Sequence, residues 1–256
     1  MLILRERIDQ TEVLTLNRPE AANSLNPQLL DELGRALAEV LVDDSARVVV
    51  VTGAGDRIFC GGMDLSALSE FNDQSDSEPG PGAGALAQFM GGTYPKPLIA
   101  AVNGAAVGGG LELVMACDLV VAAEHARFGL PEVKRGLYAA GGGTLLSLLI
   151  PQALALEMGL TGRLIGAERA AGMGLINQVV PADELLGAAT ALAAEVAANG
   201  PLGVQLTKKL MRDAVASGAG AGRATPEQNR AVFTSDDARE GAAAFMEKRP
   251  AAYTGH

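Results

Sequence analysis

Val102-Asn103-Gly104-Ala105-Ala106-Val107-Gly108-Gly109-Gly110-Leu111-Glu112 is the stretch around which the chain is organised. An apolar, strand-like run from Pro97 to Val102 leads into it and turns at Asn103-Gly104. Three consecutive glycines follow. Glu112 then lies in an apolar segment of helical period, with Leu111, Val114 and Met115. The glycines remove every side chain between a buried strand and a helix start, so a ligand can approach the backbone closely. They leave the unpaired N–H groups of a helix N-terminus facing that space. Such a place suits an oxygen that gains negative charge during a reaction. The glutamate beside it is the feature to be explained.

The chain has 256 residues, enough for a sizeable core in one large domain or two small ones. Its apolar residues are mostly Ala, Leu and Val; with no Trp and few aromatics, the core must pack aliphatic on aliphatic. A formal charge of −10 argues against a nucleic-acid partner, which would favour a basic surface. Cys60 and Cys117 sit in apolar stretches without metal-ligand spacing and read as reduced packing residues. Met1 to Glu6 lacks the pattern of a secretory signal, and no apolar run reaches the ~18 residues of a membrane span. A soluble, cytoplasmic protein with no membrane contact is expected.

From the N-terminus, Glu12 to Asn17 alternates like a strand and ends at Arg18-Pro19. Asn26 and Pro27 read as the cap and first residue of a helix whose apolar face includes Leu29, Leu33, Leu37 and Val40. Arg47 to Thr52 reads as a strand buried on both faces, because its valines do not alternate with polar residues. Phe59-Cys60-Gly61-Gly62-Met63-Asp64-Leu65 is a second glycine-rich turn, placed before an expected short helix. Asn72 to Gly84 is polar and rich in breakers, and reads as a mobile surface loop: a lid over a ligand site, or a plain variable loop.

Beyond Glu112, a strand is expected over Asp118 to Ala123, followed by Phe128-Gly129-Leu130-Pro131-Glu132. Glu132 is thus a second carboxylate, twenty positions after the first. Gly136 to Gly143 forms a further glycine-rich turn ahead of an apolar helix ending at Ile150. Leu160 to Pro181 reads as a helix-loop-strand step. From Ala182 the pattern is helical throughout: Asp183–Ala198, Pro201–Ala216, Pro226–Phe233 and Asp236–Lys248. The expected division is therefore an α/β core over 1–181 carrying the site, and a helical region over 182–256.

Taken in order, Asn17-Arg18-Pro19, Phe59 to Leu65, Lys96-Pro97 through Leu113, Phe128 to Glu132, Leu160-Thr161-Gly162 and Ala244 to Arg249 resemble the crotonase (enoyl-CoA hydratase/isomerase) superfamily. Each segment alone is weak, but the ordered set spans nearly the whole chain. The resemblance implies a spiral of ββα turns with a helical C-terminal trimerisation region, and hence a homotrimer or a dimer of trimers. It implies an acyl-CoA thioester substrate and no cofactor or metal beyond the coenzyme A of the substrate. By matching positions, the backbone N–H groups of Met63 and Gly109 would form an oxyanion hole. Glu112 would hold and deprotonate water, while Glu132 would give a proton to the α-carbon. Ala22, Asp64, Leu65, Tyr138 and Ala140 are the implied substrate-binding positions. Two carboxylates in a dry pocket resist joint ionisation, so one of them should have a raised pKa and can act as the acid.

Taken singly, a glutamate after a glycine turn most often complements a helix dipole, and Asp64 reads as a capping residue beside the site. His125 and His256 show no partners for a triad or a metal. Lys134-Arg135 and Lys248-Arg249 are ordinarily solvated charges, although family members can use C-terminal basic residues on CoA phosphates. The chain departs from the hydratase pattern at Ala139-Ala140, where Pro-Gly is common, and Tyr138 puts an aromatic hydroxyl in the same turn. An enoyl-CoA hydratase is the expected activity. A carnitinyl-CoA-type dehydratase, an enoyl-CoA isomerase and a non-catalytic acyl-CoA-binding protein are the alternatives.

Overall fold

The computed structural model describes residues 1–64, 80–217 and 224–256. Three times in succession, a long strand is followed within a few residues by a short one. β3 (Val48–Gly53) leads to β4 (Ile58–Cys60), β5 (Leu98–Val102) to β6 (Ala105–Val107), and β7 (Leu119–Ala123) to β8 (Arg127–Gly129). The long strands share a six-stranded sheet with β1 (Ile3–Ile8), β2 (Thr11–Leu16) and β10 (Gln178–Val180), in the order β1-β2-β3-β5-β7-β10. All its pairings are parallel except β1 with β2. The short strands run parallel in a second sheet, closed by an antiparallel β9 (Ile165–Gly166). Helices α2 (Ala83–Met90) and α3 (Gly109–Ala116) follow the first two strand pairs, which gives the ββα spiral.

Both faces of the main sheet are covered, which accounts for the uninterrupted valines of β3. Val49 and Val51 point into a core shared with Leu29, Leu33 and Leu37 of α1 (Pro27–Leu41). Val48 and Val50 point the other way, with Ile99, Ala101 and Val121. As expected, the Asn26 side chain caps α1 by accepting from the Leu29 N–H at 2.9 Å. The opposite face is covered by Leu185, Ala189, Ala193 and Ala197, four positions apart on α7 (Leu185–Ala197). Three alanines in that row let the helix lie close to the sheet. Every described element after Pro181 is helical, but α7 belongs to the core, so the change at 182 marks a change of element type rather than the edge of the core.

The remaining helices are α4 (Leu146–Leu149), α5 (Gln152–Thr161), α6 (Ala167–Gly172), α8 (Pro201–Ser217), α9 (Pro226–Phe233) and α10 (Asp236–Glu247). The loop expected over Asn72 to Gly84 ends sooner, since α2 begins at Ala83; positions 72–79, and the short helix expected from Leu65, lie outside the described residues. Cys60 and Cys117 are free and buried, and burial pushes both thiols up to about 12. No single helix among the described residues is long and apolar enough to cross a membrane.

Contact between α3 and β4 brings the glycine turns together. A Cβ at Gly110 would stand 2.0 Å from the Cys60 carbonyl oxygen, whereas one at Gly187 on α7 meets nothing within 4 Å. Gly110→Ala should therefore lose about 1–3 kcal/mol or more of unfolding free energy by overpacking. Gly187→Ala should gain about 0.5–1 kcal/mol by helix propensity. Urea unfolding measures both; a Gly110→Ala protein as stable as wild type would disprove the close packing.

Candidate active site

Met63 and Gly109 come from turns distant in sequence, and the structure places them side by side. Gly62 has φ 94°, and a Cβ there would lie 2.8 Å from the Val107 oxygen and 3.2 Å from the Gly109 nitrogen. From the other side, a Cβ at Gly109 would lie 3.6 Å from the Met63 nitrogen. Gly109 opens α3, so its N–H has no partner within the helix. Met63 pairs in parallel with Leu25, but that bridge uses the Gly62 carbonyl and the Asp64 N–H, at 2.8 Å each, and leaves the Met63 amide out. Neither N–H meets an acceptor among the described residues. Met63 itself is 44% exposed.

Glu112 occupies the first turn of α3, with its own N–H donating to the Gly108 carbonyl at 3.0 Å. A carboxylate that only complemented the helix dipole would remain in water. This one is 8% exposed, and its Oε1 accepts from the Gly143 N–H at 2.8 Å. Gly141 and Gly143 are packed onto it: added Cβ atoms would stand 2.3 Å from Oε2 and 3.1 Å from Oε1. Burial raises its pKa above the ordinary carboxylate value, and the charge of Glu132 adds to the rise. The Gly143 and Gly141 amides oppose it. The expected rise falls on Glu112, the carboxyl matched to the base rather than to the acid; once ionised, a carboxylate of raised pKa is the stronger base.

Glu132 follows β8 on a 3-10 turn, Pro131–Arg135. Its Oε1 lies 3.0 Å from where a Cβ on Gly108 would stand, against the turn that carries the Gly109 amide. Its Oε2 is buried and has no hydrogen-bond partner among the described residues. A buried acceptor left unpaired beside two unpaired donors is a common mark of a site whose partners arrive with a substrate. Glu112, Gly141, Met115, Leu145 and Leu148 line a cavity of about 1010 Å³, whose wall does not include Met63, Gly109 or Glu132. The Glu112 main chain and the Glu132 carboxylate both lie at the Gly108 turn, and the Glu132 charge is felt at Glu112, whose carboxylate sits against Gly141 and Gly143. Of the two acids, only Glu112 lines the apolar cavity.

The other expected positions are placed less uniformly. Ala22 lies at φ 57°, and its carbonyl accepts from the Gly61 N–H at 2.9 Å, which ties it to the Met63 turn. Asp64 pairs with Arg18 at 3.0 Å, and the helix it is expected to cap lies outside the described residues. Leu65 lies outside the described residues. Tyr138 is 70% exposed and does not line the cavity. Ala140 is exposed with no positive φ; the amides that reach Glu112 are those of Gly141 and Gly143. Sequence reading passes over these two individually, although the triple glycine at 141–143 is their signal. His125 Nε2 bonds the Asp56 carbonyl oxygen at 2.7 Å, and Arg249 is forked by Glu240 at 2.6 and 2.9 Å. Among the described residues, no three His, Cys, Asp or Glu side chains could hold a metal ion.

A ββα spiral that presents two adjacent amides and two acids has the crotonase fold. The family model for enoyl-CoA hydratase/isomerase matches residues 8–256. The chain is 39% identical to a carnitinyl-CoA dehydratase of Salmonella arizonae, covering 95% of this chain and 94% of that one. It is 40% identical to the enoyl-CoA hydratase EchA19 of Mycobacterium tuberculosis, over 96% and 94%. A crystal structure of an enoyl-CoA hydratase from M. tuberculosis H37Rv superposes with a TM-score of 0.87 at 41% identity, covering 100% of this chain and 99% of that one. The chain belongs to the enoyl-CoA hydratase/isomerase family.

The raised Glu112 pKa has a signed consequence for stability. Between the ordinary value of 4.5 and the raised native value, the folded protein binds a proton that the unfolded chain has lost. Stability from this group is fully present below 4.5 and is lost as pH rises through the native pKa. Glu112→Gln cannot ionise and does not undergo that loss. Its melting temperature relative to wild type should therefore climb as pH rises from about 4.5 to 8. Thermal melts across that range test this; a difference independent of pH would refute the shift.

Proposed function

We propose that this protein catalyses the reversible addition of water to a trans-2-enoyl-CoA, giving a 3-hydroxyacyl-CoA. The Met63 and Gly109 amides hold the thioester oxygen as it gains charge, a task for which one such donor is typically worth about 3–4 kcal/mol. In the reactive form the pair's one proton is on Glu132, and ionised Glu112, held by Gly143, takes a proton from water while the water oxygen bonds to C3. Glu132 gives its proton to C2, and exchange with solvent restores both acids. The step as drawn uses no cofactor or metal. The acyl chain runs past Glu112 into the apolar cavity. The observation that carries this reading is the buried, glycine-held Glu112 beside the unpartnered oxygen of Glu132.

We also place the protein in the cytoplasm, where two buried free thiols stay reduced, and assign it a trimeric or hexameric state. Phe233, Phe245 and Met246 on the last two helices are each more than three-quarters exposed in the single chain, which supports an assembly that covers them. Light scattering should give three or six times the chain mass.

Hydration is read from the loss of the conjugated double bond's absorbance over a panel of enoyl-CoAs from C4 to C16. Glu112→Gln and Glu132→Gln should each lower kcat by about 10²–10⁴-fold. An unchanged kcat in Glu112→Gln, with Glu132→Gln inactive, would instead identify an isomerase that shuttles one proton. A wild-type protein that binds enoyl-CoA yet hydrates none of the panel would leave only a binding role.

A further inference from the structure

We propose that Asn23 and Arg18 are positioning residues for the Met63 amide, holding it at its distance from Gly109; the proposal rests on the hydration reading above. Met63 has no regular element of its own beyond the bridge to Leu25. Its turn is held by main-chain hydrogen bonds to residues 22–25: Gly61 N–H to the Ala22 oxygen at 2.9 Å, Leu25 N–H to the Gly62 oxygen at 2.8 Å, and Asp64 N–H to the Leu25 oxygen at 2.8 Å. The template for the donor is therefore this short segment.

The segment is itself irregular. Ala22 and Asn23, at φ 57° and 50°, both lie in the left-handed region that residues with a Cβ enter reluctantly. Two in succession persist only where their surroundings over-determine them. The Asn23 side chain, fully buried, supplies that constraint. Its Oδ1 accepts from the Arg18 N–H at 2.9 Å, and its Nδ2 donates to the Ala54 and Ile58 oxygens at 3.0 and 2.9 Å. Ala54 and Ile58 flank the connection from β3 to β4, and β4 runs directly into the Met63 turn. One amide thus joins both approaches to the donor.

Arg18 closes the bracket. Its Nη1 donates to the Ser24 oxygen at 2.6 Å and its Nη2 to Asp64 Oδ2 at 3.0 Å, spanning from the template to the residue after Met63. The Gly109 side refers to the same connection. Asn103, in the turn before β6, accepts from Gly53 N–H at 3.0 Å and donates to the Gly55 oxygen at 2.8 Å. At 3.4 Å it also reaches the Ile58 oxygen that Asn23 uses. A satisfied polar network of this kind specifies one backbone arrangement. Two donors must converge on one oxygen, so a small displacement of one is felt in rate more than in binding.

Asn23→Ala and Arg18→Lys test this in the full-length protein. Each should lower kcat by about tenfold to a hundredfold while changing KM by less than about threefold. Each should also shrink the red shift in absorbance of a bound aromatic enoyl-CoA, a measure of carbonyl polarisation, recorded in the Glu112→Gln background so that no turnover intervenes. Arg18→Lys keeps the charge but cannot span both acceptors, and it gives an answer even if Asn23→Ala does not fold. Variants that melt lower but keep wild-type kcat and red shift would overturn the positioning role and leave the hydration reading standing. A wild-type protein that neither hydrates nor shifts the spectrum would overturn both.

Discussion

Backbone pressed directly against backbone is the constraint on which this structure depends. The Met63 turn and the start of α3 approach so closely that Gly62 and Gly110 leave no room for a Cβ without a shift in the opposing chain. Close approach gains little from side-chain burial, because glycine has no side chain to bury. Its stability comes from the elements behind it: a sheet packed on both faces, with aliphatic clusters holding β3, β5 and β7 in register. The spiral then places each short strand above its long one and delivers the turns to one place.

The same packing sets the electrostatics. Glu112 lies in the first turn of α3, so the contact that fixes the Gly109 amide also fixes the carboxylate three residues on. A third glycine turn, at 141–143, closes over it, and its Gly143 and Gly141 amides replace the water that would otherwise solvate it. Burial outweighs those amides, and the pKa rises. Proton affinity at this carboxyl is thus a result of glycine packing, and the adjacent charge of Glu132 is a smaller contribution.

Much of the fold was legible in the chain itself, where the signal was long or chemically marked. The run of valines in β3 required cover on both faces, Asn26-Pro27 marked a helix start, and the breaks between the C-terminal helices stood out. The short strands β4, β6 and β8 were not legible, because three residues show no period. Edge strand β1 is illegible for a related reason: Arg5, Glu6 and Arg7 break the apolar pattern, and Arg5 and Arg7 pair with the buried Glu12 as well as with the exposed Glu39 and Asp43. Ala-rich α7 looked like its helical neighbours, and only its packing assigns it to the core.

The kind of chemistry available is written in the chain: glycine turns before helix starts, two acids twenty positions apart, and an order of motifs that resembles one superfamily. These are local properties, written in residue type and spacing. It takes the folded chain to bring Gly141 and Gly143 onto Glu112, to leave Tyr138 out in solvent, and to set Asn23 and Arg18 against the Met63 turn. Each of these depends on contacts between segments far apart in the chain. Hydrogen bonds and desolvation act over a few ångströms, so they follow the folded path and not the distance along the sequence.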